Sequence, residues 1–212
     1  MAPLILACAK GYLLKEAIPL FDALGIQFDE PLLETRKLAI DSVDGTIRIL
    51  QIRPWDVPVY VQSGCADLGI VGYDVLHEHH TPLNRLLDLN FGACQLVIAG
   101  QPLLNYKAIR RLSVATKYPY STELFFRSQG IKVELIKLYG AIELAPITGL
   151  SDVICDLTAT GTTLRENHLD ILDTVLESTA NLVANPFSLK TRYRDILDLV
   201  NRFKTVLPLA VK

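Results

Sequence analysis

Short apolar runs recur along this chain, separated by turn residues and by longer stretches with helical spacing. Leu4 to Ala9 reads as a buried strand, followed by Lys10-Gly11 and a helical pattern from about Tyr12 to Leu24 that Gly25 ends. Leu38 to Ile40 and Ile47 to Ile52 flank Val43-Asp44-Gly45, a hairpin signal, and Arg53 follows the second arm. Asp56 is placed to cap a short helix, with Pro58 in its first turn and Gly64 just past its end. The apolar strand Leu68 to Val71 comes next, and Gly69, Gly72 and Asp74 mark a tight exit from it. Gln95 to Ala99 is strand-like again, and Gly100-Gln101-Pro102 breaks the pattern.

The alternation continues through Leu112 to Ala115, a helix from about Ser121 to Gln129, Val133 to Leu138, and a short helix near Ile142. Val153-Ile154-Cys155, Ile171 to Leu176 and Leu182 to Val183 are further apolar runs. Asn185-Pro186 opens a last helix to about Val206, whose Ile196, Leu199, Val200 and Phe203 share one face and predict packing on the first lobe. Strands alternating with helices predict an α/β protein of mainly parallel sheets covered on both faces. Ligands in such sheets gather at the carboxyl ends of strands. Lys10, Arg53, Gly72, Lys117 and Asp156 all follow strand-like runs, which predicts one composite cleft.

A length of 212 residues suits one large domain or two small lobes, and does not choose between them. Hydrophobic residues at 50% and charged residues at 21% place the chain among globular rather than disordered sequences. A formal net charge of -2 supplies no global basic field, which argues against general nucleic-acid binding and requires any polyphosphate site to be a local cluster. Cys8, Cys65, Cys94 and Cys155 are far apart with no C-x-x-C pair, so reduced thiols and a cytoplasmic location are expected. The opening MAPLILACAKG superficially resembles a lipoprotein cleavage box but has neither a positive n-region nor a long enough apolar core, and no run approaches the ~18 residues of a membrane span.

The most informative stretch is Glu143 to Leu164. Asp156 stands where the strand-like run ends, followed by Thr158, Ala159, Thr160, Gly161, Thr162 and Thr163, and Thr163 to Asn167 reads as a helix start. Small residues let the backbone turn sharply, and hydroxyls and free amides suit a phosphate. A carboxylate repels phosphate but accepts hydrogen bonds from sugar hydroxyls. A ribose 5-phosphate meets both demands; a threonine cap on an ordinary helix accounts for part of the same pattern.

In order, Glu143, Gly149, Ser151, Ile154, Asp156, Leu157, Thr160, Gly161, Thr163 and Leu164 resemble the signature of the ATP phosphoribosyltransferases, the first enzymes of histidine biosynthesis. Arg53 to Glu78, Leu87 to Gly100 and Val114 to Pro119 resemble the same family in the same order. The resemblance implies a two-lobed fold like the type II periplasmic binding proteins, with a cleft between lobes. Residues 1–99 with 172–212 would form the first lobe and 100–171 the second.

It further implies a reaction in which N1 of ATP attacks the anomeric carbon of phosphoribosyl pyrophosphate (PRPP) and expels pyrophosphate. Glu143, Asp156, Thr158, Ala159, Thr160, Gly161, Thr162 and Thr163 would bind PRPP, with Asp156 on the ribose and the threonines on its phosphate. Arg36, Lys37 and Arg53 would be the catalytic cations that stabilise the departing pyrophosphate. Lys10, Gly11, Asp56, Gly72, Asp74 and Lys117 would serve ATP. Magnesium is expected to ride on the pyrophosphate, with no dedicated protein metal site. The chain ends about where the family's catalytic region ends. This predicts the short form, a homodimer that joins a regulatory subunit similar to histidyl-tRNA synthetase. No nucleic-acid or membrane partner is expected.

One position departs from the family. Members commonly read K-G-R-L, and this chain reads Lys10-Gly11-Tyr12-Leu13, which removes a charge. His77, Glu78, His79 and His80 lack the H-E-x-x-H spacing of a zinc site and read as a solvated helix end. Trp55 suits nucleobase stacking or simple packing beneath the Arg53 loop. A two-lobed solute-binding module is the main rival, and it requires an export signal. Phosphoribosyltransferases of free bases carry two adjacent acids before the loop, whereas Leu157 follows Asp156 here.

Overall fold

The first strand, β1 (Leu4–Ala9), is buried along almost its whole length, as an unbroken apolar run demands when both faces of a sheet are covered. The computed structural model describes residues 2–207. Gly11, at φ 90° and ψ −133°, turns the chain from β1 into α1 (Tyr12–Ala23), a conformation open to residues without a Cβ. Leu14, Ala17 and Phe21 are the buried stripe of that helix.

β2 (Ala39–Asp41) and β3 (Ile47–Ile52) form the expected hairpin, and β3 runs parallel to β1 with Ala9 opposite Ile52. A single 3-10 turn, Pro54–Asp56, leads into α2 (Val57–Gln62), and Gly64 at φ 76° follows its end. β4 (Leu68–Gly72), parallel to β1, gives α3 (Tyr73–His79), and β5 (Asn84–Asp88) lies at the sheet edge.

Five strands build the second sheet: β6 (Cys94–Gly100), β7 (Leu112–Thr116), β8 (Val133–Lys137), β9 (Val153–Thr158) and β10 (Asp170–Ser178), in the order β10-β6-β9-β7-β8. α4 (Pro119–Ser128), α5 (Leu144–Thr148) and α6 (Thr162–Glu166) connect them. The chain then returns to the first sheet as β11 (Ala180–Ala184), which lies between β4 and β5 and antiparallel to both. α7 (Pro186–Thr191) and α8 (Tyr193–Val206) follow. Ile196, Leu199, Val200 and Phe203 of α8 join Leu4, Phe21 and Ile49 in one core, as their spacing predicted.

Two compact units result, Met1–Gly92 with Thr179–Lys212, and Ala93–Ser178. The expected boundaries near 99/100 and 171/172 cut through β6 and β10. These strands pair from Asp170–Gly100 to Ser178–Cys94, so both belong to the second sheet. The sheets are also mixed rather than mainly parallel, because β2, β6, β10 and β11 run against their neighbours.

Three local expectations change too. Gly69 lies inside β4, where a Cβ would stand 2.8 Å from Val57 Cγ1 and Val61 Cγ2, so it admits α2 against the strand rather than ending it. Asp56 makes no side-chain cap. The last helix breaks at Arg192, whose guanidinium turns inward to Pro3 O at 2.7 Å and Asp67 Oδ2 at 2.9 Å. The Asn185 cap holds, its side chain accepting from Phe187 N and Ser188 N. None of the four cysteines forms a disulfide; Cys8 and Cys155 are buried, Cys94 half-buried and Cys65 exposed.

Candidate active site

Alternation along β9 puts Ile154, Asp156 and Thr158 on one face, and Ile154 packs there with Ile142, Ala145 and Leu164. Asp156 comes two residues later on that face, at the carboxyl end of the strand, where the apolar cover gives out. Its Oδ1 accepts the N–H of Leu157 at 2.8 Å. Burial pushes its carboxyl up to about 6; the Leu157 N–H works against this, the charge of Glu143 raises it further and the Lys117 ammonium lowers it. Asp156, Glu143 and Lys117, from β9, the start of α5 and the exit of β7, thus form one electrostatic group. Lys117, expected with ATP, is therefore within electrostatic reach of Asp156 in the second unit.

The loop after Asp156 is held by its own hydroxyls. Thr158 Oγ1 accepts the Gly161 N–H at 2.9 Å, and the Thr160 and Thr162 hydroxyls lie 2.9 Å apart. Gly161, at φ 71°, is the N-cap of α6 and brings no side chain to cap it. Arg165, one turn on, folds back so that Nη1 donates to Thr160 O at 2.9 Å and Nη2 to Thr162 Oγ1 at 3.2 Å. Ala159, Thr160, Thr162 and Thr163 are exposed, so the loop offers donors to solvent from a preformed turn.

In the first unit, Lys10, Arg53 and Gly72 stand at the carboxyl ends of the parallel strands β1, β3 and β4, as expected. Lys10 N donates to Ile52 O at 2.8 Å, which ties the two exits together. No side chain caps α1, because its N-cap is Gly11. Lys10, Gly11, Arg53 and Asp56 are exposed, whereas Gly72 is buried and Asp74, also buried, is engaged within the protein.

Arg36 and Lys37 lie on the irregular segment before β2, both exposed. Lys37 is ion-paired to Glu30, which also accepts from Thr35 Oγ1 at 2.6 Å, so its charge is already matched. Trp55 packs against the His79 ring with centroids 5.6 Å apart. Among the described residues no three His, Cys, Asp or Glu side chains group as a metal site.

The family profile of ATP phosphoribosyltransferase matches residues 53–205. The chain belongs to the ATP phosphoribosyltransferase family. It is 45% identical over 199 residues to an ATP phosphoribosyltransferase of Citrifermentans bemidjiense, covering 92% of this chain and 94% of that protein. A chain of the ATP phosphoribosyl transferase (HisG:HisZ) complex from Thermotoga maritima superposes with a TM-score of 0.85 at 33% identity, covering 96% of this chain and 98% of that one. The periplasmic aliphatic sulphonate binding protein SsuA from Escherichia coli gives a TM-score of 0.60 at 16% identity, covering 97% and 72% respectively. That likeness is one of fold, and it agrees with the expected type II periplasmic-binding-protein class.

Within an ATP phosphoribosyltransferase, two features of the second unit escape a reading of the sequence. Arg165 falls just outside the signature, and only its i, i+3 and i, i+5 reach to Thr162 and Thr160 hints at the loop contact. Thr116 is fully buried and bonds Cys155 O at 2.7 Å, a contact between residues far apart in sequence. Tyr12, in place of the family's usual arginine, is 63% exposed beside Gly11 and adds no charge there.

Proposed function

We infer that the chain transfers the 5-phosphoribosyl group of PRPP to N1 of ATP, releasing pyrophosphate and forming phosphoribosyl-ATP in the first step of histidine biosynthesis. The single observation that carries the residue assignment is the carboxylate of Asp156 at the end of β9, followed at once by the hydroxyl-lined turn into α6.

Each group has a role set by its chemistry. Asp156, once ionised, accepts hydrogen bonds from the ribose hydroxyls, and its raised basicity makes it a strong acceptor. The hydroxyls and amides of residues 158–163 receive the 5-phosphate. As the C1–O bond to pyrophosphate lengthens, positive charge builds on the ribose, and the carboxylates of Asp156 and Glu143 stabilise it. Lys117 balances those carboxylates. Lys10, Arg36 and Arg53 are the exposed cations assigned to polyphosphate oxygens, with Gly11 and Asp56 beside them for ATP. Gly72 and Asp74, being buried, act by shaping the start of α3.

Magnesium belongs to the substrate in this scheme. A loop of hydroxyls and amides with few carboxylates fits an ion that arrives on the pyrophosphate and keeps most of its waters. The likeness to a chain of the HisG:HisZ complex supports a partner subunit; that this partner is a regulatory protein similar to histidyl-tRNA synthetase, and that the catalytic chain is a homodimer, rest on the family resemblance. No helix among the described residues is long and apolar enough to cross a membrane, which is consistent with work in the cytoplasm on soluble nucleotides.

Pyrophosphate release assays on the chain with its regulatory subunit test the activity. Release is expected with ATP plus PRPP, and not with ATP alone or with PRPP plus adenine. Release with adenine in place of ATP contradicts the assignment.

A further inference from the structure

β7 and β9 run side by side and then part. Their ladder ends with Thr116 opposite Cys155. Beyond it β9 continues to Thr158 along β6, whereas the chain leaving β7 turns through Lys117 and Tyr118 into α4. The first residues past this fork are Lys117 on one arm and Asp156 on the other, two members of the charged group described above.

The Thr116 side chain closes the fork. It is fully buried, donates its hydroxyl proton to Cys155 O at 2.7 Å, and accepts the N–H of Tyr118 at 2.8 Å. Its backbone carbonyl takes the N–H of Leu138 at 3.0 Å, at the exit of β8. Thr122, also buried, bonds Tyr118 O at 2.6 Å and holds the same turn from the first turn of α4. One hydroxyl therefore links the carbonyl just before Asp156 to the amide just after Lys117. A hydroxyl can do this because it is donor and acceptor at once. Valine matches its shape and does neither, so both hydroxyl bonds across the fork are lost.

We propose that Thr116 is a positioning residue whose hydroxyl sets the spacing of Lys117 and Asp156, and through them the geometry in which PRPP is held for attack. The inference rests on the reading of Asp156 as the ribose ligand.

Steady-state kinetics of Thr116→Val, Thr116→Ser and Asp156→Asn, each well below its melting temperature, test it. Thr116→Val is expected to lower kcat/KM for PRPP by about 10- to 100-fold, the scale of a small misplacement of reacting groups, with KM for ATP changed less than about twofold. Thr116→Ser keeps both bonds and returns kcat/KM for PRPP to within about threefold of wild type. A purely structural role moves the melting temperature and leaves this pattern untouched.

Wild-type kcat/KM in Thr116→Val overturns the proposal, as does an equal loss in the valine and serine variants. Should the valine variant not fold, Thr116→Cys replaces it: a thiol is a weak donor and acceptor, and wild-type kinetics there are equally fatal. Undiminished turnover in Asp156→Asn overturns the ribose assignment itself, whereas its loss beside a normal Thr116→Val overturns this inference alone.

Discussion

The guanidinium of Arg165 donates to the carbonyl oxygen of Thr160 at 2.9 Å, so a side chain of α6 holds the turn that precedes its own helix. Its second nitrogen reaches Thr162 Oγ1, and a Cβ on Gly161 would stand 3.0 Å from Nη1. Arg165→Ala frees the loop while leaving its donors in place. The expected result is a KM for PRPP raised about three- to tenfold with kcat nearly unchanged, the scale of one or two exposed hydrogen bonds. An unchanged KM contradicts the preforming role.

Asp156 links activity to pH. Its carboxyl titrates near 6 and, in the proposed role, must be ionised to accept from the ribose, so kcat/KM for PRPP should climb about tenfold per pH unit below that value and level off above it. A profile flat from pH 5 to 8, on an order-of-magnitude scale, contradicts the assignment.

The same titration affects stability with the opposite sense. The folded state holds the Asp156 proton more tightly than the unfolded chain, whose carboxyl titrates near 3.8. Its contribution is therefore fully present below that value and is lost as pH rises through about 6, a change on the order of 3 kcal/mol. Asp156→Asn removes the effect. The melting temperature of Asp156→Asn relative to wild type should rise from about pH 4 to 6 and then stay level. A constant difference across that window contradicts the raised value.

Much of the second unit's candidate site was legible in the chain because it is local. The end of β9, the glycine turn and the start of α6 are contiguous, and each residue type states its own preference there. The exits of β1 and β3 at Lys10 and Arg53 were legible for the same reason. Strand direction was not: an apolar run such as Gln95 to Ala99 looks the same whichever way its neighbour points, so antiparallel β6 and β11 went unforeseen. β10 was placed in the wrong sheet because its partner is far away in sequence. Arg192 broke the last helix for contacts to Pro3 and Asp67, which no periodicity records.

Lys37 and Arg53 were both expected as catalytic cations, and the structure separates them. Lys37 is paired with Glu30, and Arg53 extends from the end of β3 without an ion pair among the described residues. Arg53→Ala should lower kcat by about 10- to 100-fold, the range for a charged hydrogen bond to a leaving group, and Arg36→Ala by a similar factor. Lys37→Ala should lower it less than about threefold. Equal losses from Lys37 and Arg53 contradict the distinction.

Gly69 tests the first unit independently of chemistry. A methyl group at this position meets Val57 and Val61 at 2.8 Å and Val183 Cγ2 at 3.2 Å, all buried. Gly69→Ala should destabilise the protein by about 1–3 kcal/mol in denaturant unfolding, through overpacking between α2 and β4. A neutral substitution contradicts that close approach.

Calorimetric titration of PRPP into the wild-type chain and into Asp156→Asn, at a pH well above 6 with magnesium present, goes most directly to how the sugar phosphate is held. A weakening of about tenfold or more in the variant is expected, the size of a lost charged hydrogen bond. Equal affinity for the two proteins means that the carboxylate at the end of β9 does not grip the ribose.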